Sequence, residues 1–203
     1  MKKQIVLISA AAAAAAGVVI ALRGKGGDSA SAKAKPAKSG GKKAGFTFKN
    51  LQTGEYSFAS GFRDAKTVYV RLGYDADNSS FSVASEDFLA PTGDSHAAIV
   101  YAPDFALQIE YAAYYAGEDF AAMSKATAER FKGFSGISFG GIDGIGFFNG
   151  KNYCMAFPAA DASADYVLFT VVNMGDDKEE VIQALPGHPM LTAMLDTLTI
   201  TAE

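Results

Sequence analysis

Cysteine and histidine are scarce in this 203-residue sequence, which holds one cysteine, Cys154, and two histidines, His96 and His188. A single cysteine excludes a disulfide within the chain and a zinc site built from cysteines. Cys154 lies in an apolar, strand-like stretch with no basic residue beside it, so we expect a buried structural thiol rather than a nucleophile. The glycine before His188 and the proline after it predict an exposed turn.

The sequence also lacks complete motifs for hydrolysis, phosphate binding and calcium binding. Residues 133–136, Gly-Phe-Ser-Gly, are one residue short of a nucleophile elbow and do not follow a predicted strand. No Gly-Lys-Ser or Gly-Lys-Thr occurs, and the glycine-rich residues 140–146 precede a strand where a phosphate loop needs a helix. We therefore expect a loop that enters a hairpin.

Residues 75–79, Asp-x-Asp-x-Ser, together with Glu86 mimic the ligand spacing of a calcium loop. Ser80 occupies the position of the required glycine, and the flanking residues are typical of strands rather than helices. A polar turn is the better interpretation. The sequence thus predicts no catalytic, metal-binding or cofactor-binding residue.

Positive charge is scarce in most of the chain. Residues 1–45 carry nine bases against one acid, a balance of +8, whereas residues 46–203 carry nine bases against 21 acids, a balance of −12. A folded part this acidic is poorly suited to phosphate backbones, so we expect no nucleic-acid partner. Lys125, Arg130 and Lys132 cluster at helical spacing, which is typical of a solvated helix face.

The amino terminus holds the one long uncharged apolar run, residues 5–22, preceded by two lysines. As a helix these 18 residues would reach about 27 Å, close to the thickness of a bilayer's hydrocarbon core. Arg23 and Lys25 make a poor cleavage region directly after the run, and an Ala-Ser-Ala at 30–32 lies well beyond it. We favour an uncleaved membrane anchor. The alternatives are cleavage near Ala32 or a non-inserted segment, because alanine is only weakly apolar.

A basic linker, residues 23–45, comes next and is rich in Gly, Ala, Ser and Lys. This composition predicts a flexible, self-repelling spacer. Its charge either rests on anionic lipid headgroups, at roughly 1 kcal/mol per base, or stays solvated. Such a leader normally directs the export of the domain behind it, yet the bases after the run outnumber those before it and favour retention in the cytoplasm. We favour an extracytoplasmic domain, in the periplasm or at the cell surface.

Residues 46–203 alternate between strand-like and helix-like patterns and predict one α+β domain, with a mainly antiparallel sheet and two or three helices. The clearest strands are residues 67–74 and 105–115, and Asn149-Gly150 is a strong hairpin signal. The sequence also predicts strands near Phe46 and Phe48, a turn at Gly54, and a return strand at Phe81 and Val83. A helix should begin at Asp119 and be ended by Gly133 and Gly136. Two short helices should follow Asp176, and a strand at 198–201 should close the chain.

Four stretches give residues 55–201 a resemblance to the Mog1/PsbP-type α/β/α sandwich of small bacterial envelope proteins. They are a Tyr-rich strand, Gly117-Glu118-Asp119-Phe120 at the helix that follows it, Ile142-Asp143-Gly144 at the start of a long hairpin, and the closing apolar spacing of Leu191, Met194, Leu195 and Leu198. Many members of that group are accessory or binding proteins. The resemblance therefore implies a non-enzymatic role, and it transfers no site residues.

Aromatic and acidic residues of the strand at 105–115 are the remaining candidates for a site. Alternation sends Tyr111 and Tyr115 to one face and Tyr114 to a polar face, where it could contact a sugar or a partner. We expect a membrane-tethered binding or accessory domain that acts through contacts with an unidentified protein. The alternatives are an envelope enzyme that uses carboxylates such as Glu110 and Glu118, and an anchored domain that faces the cytoplasm.

Overall fold

A computed structural model describes residues 45–59, 66–83, 97–113, 119–159 and 165–203. The apolar segment and nearly all of the basic linker, residues 1–44, lie outside these ranges. Within the described ranges the chain is α+β, with antiparallel strands and three α-helices, as the sequence predicts. The strands form two sheets, whereas the sequence predicted a single sheet.

Ten strands and three helices make up the described structure. The strands are β1 (Leu51–Ala59), β2 (Thr67–Asp75), β3 (Ser80–Val83), β4 (Ala97–Tyr101), β5 (Phe105–Ala113), β6 (Lys132–Phe139), β7 (Ile142–Asn149), β8 (Asn152–Pro158), β9 (Asp165–Asn173) and β10 (Thr199–Ala202). The helices are α1 (Phe120–Arg130), α2 (Glu179–Ala184), which continues into a 3-10 turn (Leu185–Gly187), and α3 (Pro189–Asp196). One sheet has the order β1-β2-β10 and the other β3-β4-β5-β9-β8-β7-β6.

The main core lies between the two sheets and α3. Val68, Val70 and Leu72 alternate along β2 and are almost fully buried, as their spacing predicts. They belong to the same apolar cluster as Leu191 and Met194 of α3. Each fully buried side chain of this size contributes about 1.5–3 kcal/mol relative to an exposed one, so this core is the main source of stability.

The seven-stranded sheet is buried on both faces. Helix α1 packs on the second face through Met123, in a smaller cluster with Phe147 and Leu168. Gln108 and Glu110 of β5 point to this face and are 4% and 8% exposed. The alternation of β5 is therefore confirmed, but the expectation of a solvated polar face is wrong for these two residues.

Helix α1 begins where Asp119 accepts a hydrogen bond from the Ala122 amide at 2.8 Å, which satisfies one of the free amides at the helix start. It ends at Arg130, and Gly133 does not end it but lies in the next strand, β6, which the sequence did not predict. Gly133 adopts φ 66° at a register shift in the β6–β7 pairing, the geometry of a β-bulge.

Turn predictions have mixed outcomes. The Asn149-Gly150 hairpin is confirmed, since Asn149 pairs with Asn152 and Gly150 has φ 61°. Gly54 lies inside β1 opposite Leu72 rather than in a turn. The chain does turn after Asp75, but β3 then pairs with β4 in the other sheet instead of returning along β2. Phe46 and Phe48 precede β1 and are not in a strand.

Candidate functional site

A cavity of about 390 Å³ lies where β5 begins and β9 ends, and α2 with its 3-10 turn forms its wall. We call it the His188 pocket. Its lining residues are Asp104, Asn173, Gly175, Asp176, Glu180, Val181, Ala184, Leu185 and His188. This volume falls within the range of small-ligand sites, which combine an apolar wall with a few polar groups.

The β4–β5 turn positions Asp104 at the mouth of the His188 pocket. The Asp104 carbonyl accepts a hydrogen bond from the Met174 amide at 2.9 Å, which ties the turn to the end of β9. The Asp104 side chain is 71% exposed, so its carboxylate is accessible to a ligand. The next residue, Phe105, is fully buried and anchors the start of β5 in the core.

Hydrogen bonds to residues before and after it in the sequence hold the backbone of His188. Its amide donates to the Leu185 carbonyl, and its own carbonyl accepts from the amide and hydroxyl of Thr192 at 2.9 Å. Its ring packs edge-on against Phe105, with centroids 5.1 Å apart. The imidazole is thus fixed by the junction between the 3-10 turn and α3.

The imidazole of His188 faces a carboxylate on one side only. Nε2 lies 3.5 Å from Asp104 Oδ2, and Nδ1 is buried with no hydrogen-bond partner among the described residues. In the neutral ring, the tautomer with its hydrogen on Nε2 satisfies this arrangement, because it donates to Asp104. The side chain is 27% exposed, so His188 is half-buried rather than exposed, although the predicted turn is present and Gly187 and Pro189 beside it are exposed.

Two further acids line the pocket, one in the loop after β9 and one on α2. The Asn173 side chain organises this loop, because its Nδ2 donates to the Asp176 carbonyl and its Oδ1 accepts from the Gly175 amide. Asp176 pairs with Lys178 at 2.7 Å, which offsets its charge. Glu180 lies further along, on α2, and has no ion-pair partner in the described part of the chain.

The His188 pocket is therefore electronegative. Its lining includes three carboxylates and one imidazole but no lysine or arginine. Val181, Ala184 and Leu185 supply the apolar part of the lining, at the spacing of one helix face. Such a lining can hold a cation with an aliphatic portion, and the exposed Asp104 carboxylate can also accept a proton from a bound group.

A second group of polar side chains lies on the face of the seven-stranded sheet that α1 covers. Cross-strand pairing places Thr170 between Gln108 and Cys154. Thr170 Oγ1 has no hydrogen-bond partner of ordinary geometry among the described residues. Burial raises the pKa of the Cys154 thiol to about 12, which the neighbouring Thr170 hydroxyl only partly offsets. Cys154 is thus a buried free thiol, as the sequence predicts.

Glu110 lies next to this group but far from the His188 pocket. Burial raises the pKa of its carboxyl to about 7, against the opposing effect of a hydrogen bond with Gln108. It is six residues along β5 from Asp104, roughly 20 Å at the rise of an extended strand. The structure therefore does not bring Glu110 to the pocket, and Glu118 lies outside the described residues.

The calcium-like residues at 75–79 form a structural turn. Burial opposes ionisation of Asp75, but hydrogen bonds from the Asn78 side chain and the amides of Asn50 and Lys49 hold its pKa below the usual value. Its carboxylate is therefore committed to the turn. Among the described residues, no group of three or more His, Cys, Asp or Glu side chains is placed to hold a metal ion.

The other residues singled out in the sequence are not brought together. Tyr111 is half-buried and packs against Phe58 with centroids 4.7 Å apart. The bases of α1 and its C-terminal flank are exposed, as a solvated face requires; they are Lys125, Arg130 and Lys132. Four candidates lie outside the described residues, namely Glu86, His96, Tyr114 and Tyr115.

Comparison with known proteins gives no relative for this chain. No protein-family model matches it, and no curated protein or solved structure has significant similarity to it. No helix in the described ranges is long and apolar enough to cross a bilayer, and the apolar run at 5–22 lies outside those ranges.

Proposed function

We propose that this protein is a membrane-tethered, extracytoplasmic binding or accessory domain that acts through contacts with another protein. The observation that carries the proposal is the His188 pocket, an accessible cavity of ligand size with exposed carboxylates at its mouth. Such a pocket can receive a side chain of a partner. The Mog1/PsbP-like pattern of residues 55–201 supports the same role, since many proteins of that group are accessory proteins.

The proposed attachment to the membrane rests on the sequence of the first 45 residues. The uncharged run at 5–22 is long enough for one crossing, and the basic linker would then separate the domain from the lipid. At the surface of anionic lipid, the +8 charge of residues 1–45 would hold the linker close to the headgroups.

Capture of partners from native membranes tests the binding role. Full-length protein carrying a carboxy-terminal tag is cross-linked in cells, and the captured proteins are compared between the wild type and the Asp104→Asn, Glu180→Gln double variant. We expect a protein that the wild type enriches and the variant loses. Identical captured sets would contradict the proposed role of the pocket.

Digestion of intact cells tests the orientation. External protease reaches a domain on the cell surface directly, and it reaches a periplasmic domain after the outer membrane has been made permeable. We expect the domain to be degraded under one of these conditions while a cytoplasmic marker survives. Protection that ends only when the inner membrane is dissolved would place the domain in the cytoplasm.

A second candidate function is catalysis by the imidazole–carboxylate pair of the His188 pocket. It is favoured by the 3.5 Å approach of His188 Nε2 to Asp104 Oδ2, since a carboxylate oriented by an imidazole and exposed to a ligand can act as a general base. Cell extracts incubated with the wild type and with His188→Gln are compared by untargeted metabolite analysis. A compound whose consumption requires His188 would favour an enzyme over an accessory protein.

A further inference from the structure

We propose that the His188 pocket binds the side chain of a lysine or arginine presented by the partner protein. This inference rests on the proposed binding role and names the chemistry that the pocket recognises. The feature that carries it is a lining that combines carboxylates with an apolar face of α2 and its 3-10 turn, and no lysine or arginine.

The acidic part of the lining is suited to a cationic head. Asp104 and Glu180 line the pocket from different elements, the β4–β5 turn and α2, and Glu180 has no cationic partner among the described residues. Asp176 lies beside them but is already paired with Lys178. In the described part of the chain, Asp104 has only the His188 ring beside it, so the Asp104 and Glu180 carboxylates would both attract a cation in the pocket, and an anion would be repelled.

The apolar wall is suited to an aliphatic stem. Val181 and Ala184 of α2 and Leu185 of the following 3-10 turn line the cavity at helical spacing, and Leu185 is fixed in the core at 3% exposure. Lysine and arginine bury a chain of methylene groups on apolar surface while their charged ends stay at a polar rim. The lining of the pocket combines both kinds of surface that such a side chain requires.

His188 gives the site a built-in reporter. The chain contains only two histidines, so ring-labelled histidine yields two imidazole signals, which a His96→Gln variant assigns. The His188 ring lines the cavity, and a ligand beside Asp104 would change its surroundings.

The test titrates the full-length protein in detergent micelles with n-butylammonium or n-butylguanidinium while the His188 signal is monitored by NMR. n-Butanol serves as a neutral probe with the same four-carbon stem. We expect saturable shifts with both cations and none with butanol over the same concentrations. Equal responses to butylammonium and butanol would overturn the proposal, because they would show that the charge is not recognised.

Charge-neutral variants locate the interaction. We expect Asp104→Asn and Glu180→Gln each to weaken binding of butylammonium by about tenfold, the loss typical of a hydrogen bond to a charged group. Glu179→Gln is the matched control, because Glu179 is the adjacent acid on α2 and does not line the pocket. Its affinity should stay within about twofold of the wild type. Equal losses in Glu179→Gln and Glu180→Gln would overturn the assignment to this pocket.

Two further measurements show whether the cation comes from a partner or from the chain's own linker, and whether the binding role holds if the pocket binds no cation. Glutamine is substituted for the seven bases of the linker, residues 23–45, and the affinity for butylammonium should not change. Tighter binding in this variant would show that the chain's own linker occupies the pocket, which overturns the assignment to a partner. Loss of partner capture in the double variant without any cation binding would refute the ligand class and leave the binding role intact.

Discussion

At the scale of single residues, Glu110 is a buried carboxyl group whose pKa burial raises into the neutral range. It lies on a central strand, is 8% exposed, and shares its face with Gln108, Thr170 and the apolar side chains beneath α1. Burial penalises the charged form, so the pKa of this carboxyl rises to about 7 from an ordinary value near 4.5. Folding therefore competes with ionisation of Glu110 at neutral pH.

The raised pKa of Glu110 predicts that the stability of the fold depends on pH, and that Glu110→Gln removes this dependence. Between pH 4.5 and 7 the folded state keeps the proton that the unfolded state has released, so the free energy of unfolding falls as the pH rises. The difference between a pKa of 4.5 and one of about 7 corresponds to about 3 kcal/mol, fully lost above pH 7. We expect the variant to exceed the wild type by up to this amount at pH 8 and to match it near pH 4.

Urea unfolding monitored by tyrosine fluorescence measures this effect, since the chain has nine tyrosines and no tryptophan. Glu129→Gln makes the same chemical change on the exposed side of α1, where substitutions typically alter stability by no more than about 0.5 kcal/mol. A Glu110→Gln variant that is less stable than the wild type at pH 8 would show that the ionised carboxylate stabilises the fold.

At the scale of elements, the β6–β7 hairpin forms one edge of the seven-stranded sheet, and its turn contacts Leu198. Its turn residues Gly140 and Gly141 have φ values of 58° and 77°, a region that favours glycine. They differ in their surroundings. A Cβ atom on Gly140 would overlap the carbonyl oxygen of Leu198, whereas a Cβ on Gly141 would meet open space. Leu198 is fully buried between α3 and β10, so the turn packs on a fixed segment.

These two glycines predict unequal costs for the same substitution. Gly141→Ala adds only the strain of a positive φ, about 1 kcal/mol, whereas Gly140→Ala also forces backbone away from Leu198 and should cost at least about 3 kcal/mol. The free energies of unfolding of the two variants, measured under one set of conditions, give the comparison. Equal costs would mean that the hairpin does not depend on its contact with Leu198.

The sequence predicted those elements whose signal is local. The alternation of β2 and the Asn149-Gly150 turn report their structure directly, because burial on one face and positive φ each impose a residue pattern. Strand β6 was missed because Gly133 and Gly136 resemble helix terminators, while their actual setting is a bulged edge strand. Gly54 was likewise predicted to be a turn residue because glycine is common in turns, but in β1 it makes room for the Phe81 ring.

At the scale of the whole molecule, the candidate site arises from distant parts of the chain. Asp104, Asn173 and His188 meet because β5 pairs with β9 and because α2 folds back over the end of that pair. No spacing in the sequence predicts that these residues lie close together. For His188 the sequence predicted only a turn, from the glycine before it and the proline after it. The charge imbalance was visible in the sequence, and it agrees with an acidic pocket, but its location required the tertiary structure.

The amino-terminal segment gives the last prediction, since its fate depends on charge close to the end of the apolar run. We expect the wild type to keep residues 1–22, because Arg23 and Lys25 occupy positions where a signal peptidase needs small, uncharged residues. Arg23→Ala combined with Lys25→Ala should therefore produce a shortened chain. Lys42→Ala with Lys43→Ala removes the same charge farther away and should leave the chain intact.

Mass spectrometry of the protein from membranes distinguishes these outcomes by its first peptide. A wild-type chain that begins after Ala32 would contradict the anchor and would identify the Ala-Ser-Ala at 30–32 as the cleavage site. The domain would then keep only the last part of its basic linker, and attachment through the apolar run would be lost. Because the single crossing of about 27 Å is the only part of the proposed tether that enters the lipid, retention of residues 5–22 decides whether the domain with the His188 pocket is anchored in a membrane.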